Sequence, residues 1–303
     1  MKVYTGETLA SLYDQVREDL LIAPKANPRG MATKEVVGAS LVLTNPRSRL
    51  MWHEDRKFNL MFAVAEAIQI FSPSNALAPF TPFNKNLAQF SDDGITMYGS
   101  YGARISPFIG RIITKLQKDP DSRQAILTIH RVEDSVAKTK DTPCTIAVQF
   151  ILRNNKLDCF TYMRSNDFYW GLPYDVHTFS VLQEVVANSI GVGLGSYHHT
   201  VTSLHVYEKH FDWLEKITNP DPIEYRLGYQ AVMMRDLTEF MDGIYQRGIY
   251  YPEFAVDSMR PYSDLLVREK EHQSGIQPDQ LTPDLFWAYN FVRRWYQGRE
   301  AEQ

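Results

Sequence analysis

The sequence predicts an α/β protein of the α+β kind, and two observations carry that expectation. Segments with apolar residues at helical spacing are interspersed with segments in which apolar residues recur at every second position. Two of the latter are joined by an Asn154-Asn155 turn, the signature of a tight hairpin. At 303 residues the chain suffices for one large domain or two small ones around a buried core. A net charge of -4 without a clustered basic face argues against duplex nucleic acid as a partner. The two cysteines, Cys144 and Cys159, fit a reducing compartment better than a disulfide framework. The N-terminus lacks a signal-peptide pattern and no apolar run is long enough to span a bilayer, so the expectation is a cytoplasmic protein without membrane contact.

Taken in order, Thr5 or Thr8 offers a cap for a helix through LASLYDQVREDLLIA, which Pro24 and Pro28 close. A loop with Arg29 and Gly30 leads to a strand EVVGASLVL and then to Arg47 and Arg49, any of which could be a solvated surface charge. Phe58 to Phe71 reads as a helix apolar nearly all round, with Glu66 its one charge. A carboxylate on such a helix must find a partner, face a cavity or take up a proton. Ser72 to Gly102 reads as a long loop, of the kind more often functional than idle, followed by a helix through SPFIGRIITKLQKDP. A strand enters after Arg123, a polar loop covers 137–142, and Cys144 to Leu152 pairs with Leu157 to Met163 as the hairpin.

Cys144, following a proline at a strand start, is expected to turn its thiol toward a cavity, whereas Cys159 reads as packing. Pro173 to Ile190 is a helix stopped by Gly191. Asp175 lies in its first turn, where the helix dipole favours a carboxylate without any further role. In the strand YHHTVTSLHVY, His205 and Tyr207 share a face, while the adjacent His198 and His199 face opposite ways and make a poor metal pair. No repeat, Walker-type loop or zinc spacing is present, and beyond His210 the sequence reads as a helical C-terminal layer.

Cys144 after proline, the run from Arg164 to Asp167, GLPYD ending at Asp175 and SLHVY ending at Tyr207, in this order and spacing, resemble the thymidylate synthase superfamily. YGSYGAR, DSRQ and Glu66 extend the resemblance over roughly Arg29 to His210. It implies a mixed-sheet α/β sandwich and a two-fold homodimer with sheets packed face to face. The catalytic domain is expected over 1–215, with a helical extension over 216–303 on the same domain. By the same resemblance, 5,10-methylenetetrahydrofolate serves as co-substrate for one-carbon transfer to C5 of a pyrimidine nucleoside monophosphate, without a metal. Cys144 would add to C6, Glu66 would handle protons and water, and Tyr101 would lie near the reacting ring. Arg29, Arg164, Ser165 and a partner-subunit Arg123 would hold phosphate, His205 and Tyr207 the sugar, and Asp167 the folate.

Two departures from the synthases refine this expectation. Asp175 stands where synthases carry a uracil-reading asparagine, and Thr145 stands where they usually have histidine; in both the chain resembles the deoxycytidylate hydroxymethylases. A carboxyl group can accept from cytosine N4 and, when protonated, donate to N3. Gln124 follows Arg123 where synthases have a second phosphate-binding arginine, leaving Arg47 or Arg49 as possible substitutes. The C-terminal third also fails to match the synthase ending that closes over the folate. The expected activity is therefore conversion of dCMP, or CMP, to its 5-hydroxymethyl derivative. The alternatives are a thymidylate synthase with an odd base reader, a CMP-specific hydroxymethylase of antibiotic biosynthesis, and a silent nucleotide-binding homologue.

Overall fold

The computed structural model describes residues 1–224 apart from 57, 79, 82 and 83. The expected C-terminal helices beyond residue 224 lie outside the described residues. Fifteen elements follow in chain order: β1 (Lys2–Gly6), α1 (Leu9–Ile22), β2 (Lys25–Ala26), β3 (Thr33–Leu43), β4 (Leu50–Trp52), α2 (Leu60–Gln69), α3 (Tyr101–Lys118), β5 (Ile126–Thr128), β6 (Thr145–Arg153), β7 (Lys156–Met163), β8 (Asn166–Asp167), α4 (Leu172–Ile190), β9 (Gly193–Tyr207), α5 (Phe211–Lys216) and β10 (Asp221–Ile223). The main sheet runs β1-β3-β9-β7-β6-β5, with β2 on β3 and β8 on β9, while β10 returns to pair with β4. β1 with β3 and β7 with β9 are parallel, whereas β3 with β9 and β6 with β7 are antiparallel, so the α/β class with a mixed sheet is observed.

The local chemistry explains most boundaries. Thr8 caps α1 by accepting from the Ser11 N–H at 3.0 Å, and Asn59 caps α2 by accepting from Phe62 N–H, which trims Phe58 from the expected helix. Asn154 and Asn155 both take positive φ, 50° and 57°, and close the β6–β7 hairpin as expected. Gly191 stops α4 at φ 86°. The helix expected from Ser106 begins five residues earlier at Tyr101, because Pro107 is an internal residue of α3 rather than its first turn. Gly102 makes that early start feasible: a Cβ there would lie 2.1 Å from the carbonyl oxygen of Gln69, so only glycine lets α3 abut the end of α2.

Among the described residues, one face of the sheet packs on helix and the other does not. Val148, Phe150, Leu157, Cys159, Tyr197, Val201, Ala39 and Leu41 are buried, and alternate with Ile146, Gln149, Tyr162, His198 and Val42, which are not. α4 lies on the buried face, and its Phe179, Leu182, Val185 and Val186 have no exposure at all. Full burial of each such side chain contributes roughly 1.5–3 kcal/mol. Gln183 ties the helix down by donating from Nε2 to the Leu157 carbonyl at 2.8 Å. Glu184 has 1% exposure and binds Arg47 Nε at 2.9 Å and the fully buried Arg49. Both arginines thus bind one carboxylate, Arg49 fully buried and Arg47 partly exposed. Among the described residues no helix is long and apolar enough to cross a membrane.

Candidate functional site

A cavity of about 950 Å³ opens between the ends of α2, α3 and α4 and the segment leading into β6. Arg29, Glu66, Tyr101, Cys144, Arg164, Asp175 and Tyr207, all singled out in the sequence, line it together. Four others do not. Ser165, Asp167 and His205 lie outside its lining, and Arg123 is exposed just ahead of β5.

Cys144 immediately precedes β6. Its thiol lies 3.7 Å from an Arg164 NH2 group. The same guanidinium donates from Nε to the Pro143 carbonyl at 2.9 Å and from NH2 to the Thr142 carbonyl at 2.9 Å, so it fixes the backbone before the cysteine. Burial pushes the Cys144 thiol up, and Arg164 and Arg29 pull it back without restoring the ordinary value. The Tyr101 hydroxyl accepts from the Thr145 N–H at 3.3 Å. Thr145 itself is fully buried.

Glu66 faces the cavity from α2. Burial raises its carboxyl well above the usual range, and the charge of Asp175 adds to this. Asp175 is pushed up to about 7 by burial, against a hydrogen bond from Asn166 that pulls it down. Gly171, not Asp175, is the N-cap residue of α4. The Asp175 carboxyl instead accepts from Asn166 Nδ2 at 2.7 Å and lines the cavity, which goes beyond the dipole role its position alone would warrant. Tyr207 also lines the cavity, with His205 edge-on to it at 5.0 Å between centroids. Asp167 uses Oδ1 to accept from the Tyr169 and Trp170 N–H groups at 2.7 and 3.3 Å, holding the turn into α4.

Two residues escaped the sequence reading. Asp141 lines the cavity three positions before Cys144; its carboxyl accepts from the Gly99 N–H at 2.7 Å and is pushed up to about 6 by burial. In sequence it is one polar residue of a polar loop, and nothing local distinguishes it. Asn166 is buried beneath Asp175, and the alternation of β8 beside Asp167 was the available signal. The cavity wall near Gly99 is braced by Arg104, which binds Asp134 through two contacts of 2.5 and 3.1 Å and donates to the Tyr98 carbonyl at 3.0 Å. Among the described residues no group of three or more metal-type side chains comes together.

Comparison with known proteins agrees with this geometry. The chain is 34% identical over 236 residues to a protein of Bacillus phage SP01 named deoxyuridylate hydroxymethyltransferase, covering 71% of this chain and 61% of that one. It is 30% identical over 177 residues to a deoxyuridylate hydroxymethyltransferase of Pseudomonas phage M6, covering 55% of this chain and 50% of that one. The chain thus spans between half and two thirds of the length of these curated relatives. Residues 88–239 match the thymidylate synthase family model, a stretch that contains Tyr101, Cys144, Arg164, Asp175 and Tyr207 of the cavity lining; the chain belongs to the thymidylate synthase family.

Proposed function

We propose that this chain transfers a one-carbon unit to C5 of a pyrimidine nucleoside monophosphate, where water converts it to a hydroxymethyl group after tetrahydrofolate leaves, with dCMP as the preferred substrate. The observation that carries the reading is the convergence of Cys144, Glu66 and Asp175 on one cavity. The cavity sits at the upper end of the roughly 300–1,000 Å³ typical of small-molecule sites, enough for a nucleotide beside a second planar ligand. Ile70, Phe80, Leu87 and Met97 provide an apolar wall suited to the flat ring of a folate. 5,10-Methylenetetrahydrofolate would supply a methylene carbon at the oxidation level of formaldehyde.

The chain's own residues divide the remaining work. Cys144, as thiolate, adds to C6 and makes C5 nucleophilic, splitting one difficult substitution into easier steps. Binding of a phosphate-bearing nucleotide recruits Arg29 and Arg164 as charge-assisted donors, with Ser165 and the partner subunit's Arg123 completing the phosphate ligands in a homodimer. Glu66, whose proton affinity is raised by burial, accepts the C5 proton and activates the water that ends the reaction. His205 and Tyr207 contact the sugar, and Asp167 the folate. The sheet face carrying Tyr162 and His198 serves the dimer contact.

Asp175 favours cytosine because one proton shared between its carboxyl and N3 satisfies both, while the carboxyl also accepts from N4. Uracil instead needs the fully protonated acid to donate to O4. The name of both phage relatives, deoxyuridylate hydroxymethyltransferase, favours dUMP as a second reading. Incubating the chain with methylenetetrahydrofolate and dCMP, CMP or dUMP, with product analysis and dihydrofolate absorbance, separates the possibilities. 5-Hydroxymethyl-dCMP without dihydrofolate is expected. Product from dUMP alone overturns the base assignment, and dihydrofolate formation overturns hydroxymethyl transfer.

A further inference from the structure

Asp175 ends a buried chain of hydrogen bonds that the reaction outlined above does not use. Its Oδ2 accepts from Asn166 Nδ2 at 2.7 Å; Asn166 Oδ1 meets His199 Nε2 at 2.9 Å; His199 Nδ1 meets the Tyr197 hydroxyl at 2.9 Å, and that hydroxyl meets Thr161 Oγ1 at 3.1 Å. Asn166, His199, Tyr197 and Thr161 have between 0 and 3% exposure, so water cannot substitute for any link. Gly171 keeps the first link open, since a Cβ there would lie 2.5 Å from Asn166 Nδ2 and 3.2 Å from Asp175 Oδ2.

We propose that Asn166, aimed by His199, is the positioning residue that decides which oxygen of Asp175 donates and which accepts at the base edge of the site. This rests on the reading that Asp175 faces the pyrimidine. A neutral imidazole carries one ring proton, and burial keeps His199 neutral by lowering its value to about 3. With that proton on Nε2, His199 donates to Asn166 Oδ1, which leaves the amide N–H pointing at Asp175 Oδ2. Oδ2 is then committed as an acceptor, and the proton of a neutral Asp175 resides on Oδ1. With the proton on Nδ1 the amide turns over, and Oδ2 becomes the hydroxyl. Tyr197 stands in the structure as donor to Thr161 Oγ1, and the Nε2–H arrangement has its hydroxyl turned to donate to His199 Nδ1 instead, so this one rotor selects between the two arrangements. The donor and acceptor order read by a base is thereby set in the core, from β8 and β9, rather than in the cavity. The titratable groups facing Asp175 from the other elements are Glu66 on α2, Tyr101 on α3, Cys144 before β6 and Tyr197 on β9.

The test compares wild type, Asn166→Leu, His199→Phe, Asp175→Asn and the Asn166→Leu/Asp175→Asn double variant. For each, Kd and kcat/KM for dCMP and dUMP are measured from about pH 5.5 to 9. Asn166→Leu removes a hydrogen bond to a charge-bearing group, so the dCMP to dUMP ratio should move toward unity by about tenfold, and the pH midpoint should rise. His199→Phe should do the same more weakly, because the amide loses only its aim. In the Asp175→Asn background, Asn166→Leu should change neither the ratio nor the midpoint. An unchanged midpoint and ratio, or effects that multiply in the double variant, overturn the proposal. Because some variants risk misfolding, ring ¹⁵N spectra of His199 in wild type offer a second check: the neutral Nε2–H tautomer is required, and Nδ1–H refutes it. A wild type that turns over dUMP alone defeats the cytidylate reading only, since midpoints and the double-variant comparison are still read on dUMP.

Discussion

Two sets of carboxylates, one unpaired and one clasped by arginine, show how one residue type is put to different uses. In the cavity, Glu66, Asp141 and Asp175 are partly buried and have no ion-pair partner among the described residues, and all three have raised proton affinity. In the scaffold, Glu184 is clasped by Arg47 and Arg49; at the cavity wall, Asp134 is clasped by Arg104. The Arg104 hydrogen bonds hold Asp134 well below the usual carboxylate range. The cation and desolvation together make the difference: Arg104 keeps Asp134 ionised in acid, whereas burial without a cation raises Asp175. Unpaired buried carboxyls are a destabilising arrangement that a fold keeps where protons must move or a base edge must be read.

The sharpest break in this comparison is at its centre. Cys144→Ser should lower product formation by about a thousandfold or more while nucleotide binding, followed by calorimetry, persists; undiminished turnover would show that the cavity's carboxyls serve some other nucleophile. Glu66→Gln removes the proton-moving group and keeps its shape, so kcat should fall by roughly 10²–10⁴-fold with little change in nucleotide Kd. Breaking the scaffold should behave in the reverse way. Glu184→Gln leaves two arginines sharing a neutral partner in the core, and should cost about 3–5 kcal/mol in urea unfolding with the cavity chemistry intact in the protein that remains folded.

The smallest effect is a matter of pH. Asp175 has a folded-state value raised to about 7, so the folded state binds its proton more tightly than the unfolded chain does. The stability this gives is fully present below the ordinary carboxylate value and is lost as pH rises through about 7. Asp175→Asn should accordingly raise the melting temperature at pH 8 relative to wild type, and the gain should vanish near pH 4. Asp134 has the opposite sign: its contribution is present above the ordinary carboxylate value and fades as pH falls.

The sequence by itself determined the helices whose caps and stops are local, α1, α2 and α4, and the β6–β7 hairpin, because Thr8, Asn59, Gly191 and the Asn154-Asn155 turn act within a few residues of themselves. It also pointed to Glu66 as a lone charge on an apolar helix and to Cys144 at a strand start, and the resemblance added Asp175 and Tyr207; all four line the cavity. It missed β1, β4, β8 and β10, short strands whose existence depends on a distant partner, and it started α3 late because Pro107 and the glycines before it look like a loop. What only the tertiary structure decided is electrostatic. Whether a carboxyl is ionised depends on which cation reaches it across the fold, and sequence distance carries no such information: Glu184 lies 135 residues from Arg49, and Asn166 is separated by 33 residues from the histidine that aims it. Burial in three dimensions is what raises Asp175 to about 7, and no local pattern encodes that desolvation.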